Sequence, residues 1–499
     1  MKSDILIEFF TVTALEIVHK GIMSRAAYLG HLRYVLNITK YSKQWQLRHT
    51  TKSFLSDKII LIATLIAILC LEGHLIVGEY CYADDPNPYL LFGIRTAYKN
   101  VRGTITDSMI PNCEPLQIWM LLKHGSISPP KYWSMRLKDD NNMEIIKRDL
   151  AHSKAGRMCQ KDYERIKHWN NYEYIDKTKV WILSKEGELG MMRLGQRLKT
   201  YFPELIQCRP VNTLKKQYYF RAMNAQRSIA SMRSLIKGLF GNINLDNVDI
   251  RNTSHDKILQ YHLTQREFFD YYNTRDLFIF NDEFRKMING IRQRYDLSSD
   301  PAHFIYAFDQ LLDANYVCMR ETSWYPDVKS PWCAMFTKEE LKFFAIYIDR
   351  YLYRSPPYFQ KHTQAACPIL KDLYIHFTNL EKGNVHEEPK GIFYFGDFHS
   401  LMFFYSLLGH LDGDAPMPLN FTLHDLRNRK YDLSYLIPYN GNVAAVFYKC
   451  SDGFKVKLYS NERPLNYKGC PQGTCEWGYF KKVLRNIALK CNVDLCNLP

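Results

Sequence analysis

Strand-like segments lie near both ends of this chain, and a long helix-patterned stretch separates them. Residues 114–122 (EPLQIWMLL) read as a short buried strand, and LKKQYYF at 214–220 is strand-like. The strand signal then stops until GIFYF at 391–395, NVAAVFY at 442–448 and FKVKLYS at 454–460. Between the two groups, TQREFFDYY at 264–272 and FTKEELKFFAIYIDRYL at 336–352 carry apolar residues at helical spacing. Residues 186–201 are also helical in pattern, and Asn224 is placed to cap a helix running to Phe240. This order predicts an α/β core sheet flanked by helices, with an inserted, mainly helical cap. The expected boundaries are 79–255 and 385–499 for the core and 256–384 for the cap. In such sheets ligands bind beyond the carboxyl ends of the strands, where the turn KHGSISPP at 123–130 is expected.

Ahead of the core lies the apolar run Ile59 to Leu71 (IILIATLIAILCL). It is shorter than the roughly twenty residues of a membrane span and suits a signal h-region. Extending it to Gly78 brings in Glu72 and His74. Residues 1–58 hold nine Lys or Arg against four Asp or Glu, the sign expected on the cytosolic side of an inserted segment. Residues 1–58 therefore read as a basic leader, cytosolic or removed. Residues 59–78 read as a signal-peptide h-region or a signal-anchor, and both readings stay open beside that of a buried helix.

Of the 13 cysteines, only Cys70 lies in the apolar run, and no CxxC pair exists, which argues against zinc ribbons and thioredoxin-type chemistry. Cys470 with Cys475, Cys491 with Cys496, and Cys318 with Cys333 are spaced for local disulfides. Sequons begin at Asn252 and Asn420, and one at Asn37 falls in the leader. The expectation is a secretory-pathway protein, in the endoplasmic reticulum lumen or extracellular, with a type II anchor if the apolar run is retained.

The formal charge of +15 favours an anionic partner. Nucleic acid is not expected, because the 35 Tyr and 28 Phe are scattered rather than interleaved with Arg. No metal or other cofactor is expected either. His362, His376 and His386 lack ligand spacing, and Asp139-Asp140-Asn141-Asn142 lacks the Gly and Glu of a calcium loop. The chemistry-bearing candidate is the turn Lys123-His124-Gly125-Ser126-Ile127-Ser128-Pro129, where a His at a strand end is placed to attack phosphorus.

With its neighbours, that turn resembles the Arg-His-Gly-x-Arg-x-Pro motif of the histidine acid phosphatases, specifically the multiple inositol polyphosphate phosphatase branch. Ser184-Lys-Glu-Gly187, Leu194-Gly195-Gln-Arg197 and Phe202-Pro203-Glu204-Leu205 are similar to the family's next helix. Phe220-Arg221, Gln226-Arg227-Ser228, Ser231 and Gly238-Leu-Phe-Gly241 resemble its FRS…QRT…S…GLFG segment. Cys318, Ser330-Pro-Trp-Cys333 and Phe336-Thr337 resemble a stretch of the inositol-phosphatase branch. Gly396-Asp397-Phe398-His399-Ser400-Leu401 stands where the family has Gly-His-Ala-Glu-Thr-Leu. The resemblance runs in order over about residues 80–490.

The resemblance implies a histidine-phosphatase-like core sheet, metal-free phosphomonoester hydrolysis through a phosphohistidine, and phosphorylated small anions such as inositol polyphosphates as partners. His124 matches the nucleophile. Lys123 stands at the first phosphate-binding Arg, Ile127 at the second, and Arg221 at the third. Asp397 replaces a phosphate-binding His, and His399 replaces the Glu that protonates the leaving alcohol.

A Lys keeps the charge of the first Arg but not its bidentate fork. Ile127 removes a donor whose loss typically costs about 10²–10³ in rate. Asp397 brings like charge toward phosphate, and His399 can act as an acid below about pH 6.5. On side-chain identity alone, the pocket has lost most of its positive field. Two readings follow: a phosphatase with impaired turnover, or a pseudophosphatase that binds anions or protein. Oligomeric state is not legible.

Overall fold

In a computed structural model, the structure describes residues 80–139, 142–152, 158–170, 179–207, 214–244, 249–251, 258–259, 282–295, 304–353, 366–412, 422, 424–425, 429 and 431–489. The leader, the apolar run 59–78, the three sequons' acceptor Asn residues, TQREFFDYY, Cys491 and Cys496 lie outside the described residues. Among the described residues, no helix is long and apolar enough to cross a membrane.

The sheet has eight strands among the described residues. They are β1 (Cys113–Lys123), β2 (Tyr218–Ala222), β3 (Asp249–Arg251), β4 (Gly391–Gly396), β5 (Asn442–Cys450), β6 (Gly453–Ser460), β7 (Arg463–Pro464) and β8 (Thr474–Glu476). The order is β3-β2-β4-β1-β5-β6-β7, with β8 beside β6. β1, β2, β3 and β4 run parallel, whereas β5 turns back antiparallel against β1 and starts the antiparallel edge.

Among the described residues, the helices of eight residues or more are α1 (Lys131–Asp139), α2 (Asn142–His152), α3 (Gln160–Lys167), α4 (Lys185–Tyr201), α5 (Gln226–Phe240), α6 (Asp282–Arg294), α7 (Phe304–Trp324), α8 (Lys338–Tyr353), α9 (Cys367–Glu381), α10 (Phe398–Leu407) and α11 (Trp477–Leu489). Four of them, α6 to α9, fall between β3 and β4, as the helical pattern of the middle predicted.

The near-continuous apolarity of β1 follows from burial on both faces. Ile118, Met120 and Leu122 pack with Phe393 and Phe395 against Met191, Leu194 and Leu198 of α4 and Met232, Leu235 and Leu239 of α5. Trp119 and Leu121 point the other way with Ile392 and Tyr394, toward Leu370 and Phe377 of α9 and Met402 and Phe404 of α10. The GLFG segment owes part of its sequence to this packing. A Cβ on Gly238 would sit 2.1 Å from the Met192 carbonyl oxygen, and one on Gly195 would sit 2.6 Å from that of Leu235, so α4 and α5 meet backbone to backbone.

Some local details differ from the pattern-based expectation. LKKQYYF is not all strand: Leu214–Gln217 makes one helical turn, and β2 begins at Tyr218. The α5 N-cap is Ala225, not Asn224, and no side chain caps it. The preceding backbone bonds instead into the sheet, through Met223 N–H to the Phe395 carbonyl (3.0 Å). The Cys318–Cys333 and Cys470–Cys475 disulfides are present as spaced. Cys81–Cys159 and Cys113–Cys450 add long-range bridges that no spacing rule identifies.

Candidate active site

Parallel pairing brings three strand ends together. Lys123 at the end of β1 pairs with Gly396 at the end of β4, and Arg221 of β2 pairs with Tyr394 of β4. His124 and Asp397 are thus the first residues beyond two adjacent strands, on the edge where an open sheet binds ligands.

The turn after β1 is braced from two helices. Ser128 N–H donates to the Ile182 carbonyl (2.8 Å) and Ser184 N–H to the Ser126 carbonyl (2.8 Å), and Ile127 bridges Leu183. Ser184 also caps α4 by accepting from Gly187 N–H. Gly125 N–H donates to Ser231 Oγ of α5 (3.1 Å). Gly125 is required here because a Cβ would meet the Gly187 backbone at 2.6 Å.

His124 is buried, and its Nδ1 lies 2.8 Å from the Gly125 carbonyl oxygen. A carbonyl accepts only, so the proton is on Nδ1 and the Nε2 lone pair is left for attack. Burial pushes the imidazole well below its ordinary range, and the charges of Arg227 and Lys123 push the same way. The ring is therefore neutral, the form a nucleophile needs.

Lys123 is buried too, with Nζ donating to the carbonyls of Ile94 and Ile437, the latter at 3.0 Å, and resting 4.7 Å from the centre of the Tyr439 ring. Burial lowers its pKa far below the ordinary lysine value, aided by Arg95. Much of its donor capacity is committed to backbone. Ile127 turns its side chain into a small apolar cluster with Leu183 and Tyr439. Arg221 lies at the end of β2 with its guanidinium 5.9 Å from the Tyr394 ring centre.

Arg227, of the Gln226-Arg227-Ser228 segment, is the guanidinium whose charge acts most on His124. It opens α5, its own pKa is lowered by burial against the opposing pull of Asp397 and Tyr439, and it lies over Trp181 at 5.3 Å. Trp181 is half exposed and sits at φ +58°, an uncommon conformation for a bulky residue. The available signal for Arg227 was an Arg at a helix start directly after a pocket strand.

Asp397 is the N-cap of α10. Its Oδ1 accepts from the backbone N–H of His399 (2.9 Å) and Ser400 (3.2 Å), and its Oδ2 lies 3.2 Å from His399 Nδ1. The carboxylate is thereby held by a helix N-terminus and an imidazole, and its negative charge bears on His124, Lys123 and Arg227. His399 is buried and packed between Phe398 and Phe403, with Nδ1 facing the Asp397 carboxylate.

Charges beyond positions 123, 127 and 221 also reach the site, with Asp349 and Asp397 opposing the cations. Arg227, Arg95 and Arg320 all bear electrostatically on His124 or Lys123. Among the described residues, the only group of metal-type ligands within reach of one another is Cys81, Cys159 and Asp162, and those two cysteines are joined as a disulfide.

Residues 116–461 match the model of the histidine phosphatase superfamily (branch 2). Multiple inositol polyphosphate phosphatase 1 of Gallus gallus is 21% identical over 439 residues, covering 82% of this chain and 92% of the relative. The Homo sapiens protein of that name is 22% identical over 414 residues, covering 77% and 81%. In fold, the chain is similar to the phytase from D. castellii (TM-score 0.60, 17% identity, 84% and 93% covered). It is also similar to the Bifidobacterium longum multiple inositol polyphosphate phosphatase in complex with inositol hexasulfate (TM-score 0.52, 13% identity, 77% and 94% covered).

Proposed function

We propose, from the premise that the chain belongs to branch 2 of the histidine phosphatase superfamily, that it hydrolyses phosphomonoesters of the inositol polyphosphate class slowly, through His124. The observation that carries this reading is the buried His124 with its Nδ1 2.8 Å from the Gly125 carbonyl oxygen, which leaves Nε2 for attack. In the first step Nε2 attacks phosphorus, the P–N bond forms and the P–O bond to the leaving alcohol breaks. Arg227 and Lys123 hold the phosphoryl oxygens, and the protonated His399 ring gives its Nε2 proton to the departing oxygen. In the second step water attacks the phosphohistidine, His399 takes the proton, and phosphate leaves. Asp397 keeps the His399 ring in register through both steps.

The slow step follows from the substitutions. An imidazolium stands in for the carboxylic acid, and Lys123 is tethered to two carbonyls. Inositol phosphates leave as poorly acidic alcohols and need that proton, whereas aryl phosphates need it less. The four disulfides given above support folding in an oxidising compartment, the endoplasmic reticulum lumen or the extracellular side.

Phosphate release from phytate and from an aryl phosphate by the full chain tests the reading. Expected is slow release, faster on the aryl ester, and abolished by His124→Ala. The second reading, a pseudophosphatase that only binds anions, is favoured by the commitment of Lys123 to backbone. It predicts no release from either ester, together with a rise in melting temperature on adding phytate.

A further inference from the structure

An arginine taken out of water needs a counter-charge, and several buried or half-buried ones in this protein have one. Arg95 pairs with Asp349 (2.5 Å), Arg136 with Asp313 (2.5 Å), Arg197 with Glu462 (2.7 Å) and Arg294 with Glu340. Arg320, on α7, is only 3% exposed, yet among the described residues no carboxylate pairs with it. Its Nη1 donates to the Tyr439 hydroxyl and to the Ile127 carbonyl (3.3 Å), and its guanidinium lies 5.0 Å from the Tyr316 ring centre. Its Nε has no hydrogen-bond partner. Every group holding this cation is neutral.

The place where it is held is informative. Tyr439, which takes the Arg320 bond, has its ring 6.2 Å from the His124 ring and 4.7 Å from Lys123 Nζ. Lys123 in turn feels the Arg320 charge. The other acceptor is the carbonyl of position 127 itself, where the resemblance expects an arginine side chain. We infer that Arg320 delivers from the helical segment the guanidinium missing at position 127, and is an anion-binding residue of the site. At that turn the side chain has become packing, while the backbone carbonyl holds a charge brought from elsewhere in the chain. This rests on the reading of the site as one for phosphorylated anions. It goes further by naming the residue that replaces the lost donor.

The rival is a purely structural role, in which Arg320 merely pins the turn. Trp324 separates the two, because its Nε1 donates to the same Ile127 carbonyl at 3.0 Å. Binding of orthophosphate and of inositol hexasulfate to the full chain, by calorimetry and thermal shift, needs no turnover. Arg320→Met is expected to weaken both by about 10²-fold and to flatten the salt dependence, while Trp324→Phe stays within about threefold. Arg320→Lys, which keeps the charge without the planar fork, is expected to fall between. Should Arg320→Met fail to fold, Arg320→Gln decides in its place, since it keeps a donor for the Ile127 carbonyl without the charge. Unchanged affinity in the neutral variant, or an equal loss in Trp324→Phe, overturns the role of Arg320 and leaves the site reading intact. A wild-type chain that binds neither anion overturns both.

Discussion

The ends of β1 and β4 lie side by side, and they carry their chemistry in different ways. Beyond β1, backbone contacts brace His124, position 127 is apolar, and Arg227 of α5 and Arg320 of α7 bear electrostatically on His124 and Lys123, respectively. Beyond β4, the Asp397 side chain caps α10 and faces His399. A nucleophile depends on tautomer, burial and backbone bracing, which many residues supply together. A general acid depends on one side chain, so a single substitution changes its chemistry. In the proposed reading, the contrast puts the larger share of the slowing at the β4 end.

The largest expected effect sharpens that contrast at β1. His124→Ala lowers phosphate release from either ester by about 10⁴-fold or more, measured by steady-state assay, with a melting temperature near that of the wild type. Next comes repair at β4. Asp397→His with His399→Glu restores the residues expected from the family and raises phytate hydrolysis by about 10–10³-fold. The same double variant loses the α10 cap and about 1 kcal/mol of stability, read by urea titration. No gain in rate would place the impairment at β1 instead. Smaller still, His399→Gln slows phytate hydrolysis more than aryl phosphate hydrolysis, by about tenfold in the ratio of kcat values.

The last prediction concerns what ties the two strands together. Asp372 of α9 accepts from Trp119 Nε1 of β1 (3.2 Å) and from the Tyr394 hydroxyl of β4 (2.9 Å). His376 lies between Asp372 (3.6 Å) and Glu388 (2.5 Å). Burial disfavours its charge, but the two carboxylates outweigh burial and raise its pKa to about 9. A histidine raised in the fold stabilises fully below its unfolded value near 6.5 and loses that contribution as pH rises through about 9. Stability should therefore fall by up to about 3 kcal/mol between those limits, and His376→Gln should flatten the fall. A flat profile in the wild type would mean that the cluster does not hold its charge.

Much of this was legible in the sequence because it is local. The apolar runs of β1 and β4, the turn at 123–130 and the helices on either side follow from residue pattern. His124 follows from its place at a strand end. What escaped depends on convergence of distant segments. Arg227, Arg320 and Tyr439 meet only once α5, α7 and the chain before β5 are folded against one edge of the sheet. The capping role of Asp397 escaped for a different reason, since it depends on the helix that begins at the next residue. An Asp directly after a strand, with Ser400 three positions later, was the available sign of a cap.

The claim that the β1 end remains a working nucleophile is tested most directly by trapping the covalent intermediate. The full chain is mixed with an aryl phosphate, quenched at high pH where phosphohistidine survives, and mapped by mass spectrometry. A phosphoryl group on the peptide bearing His124, absent from His124→Ala, is the expected result. A wild-type chain that binds phosphate but carries no phosphoryl group on His124 at any time point would contradict it.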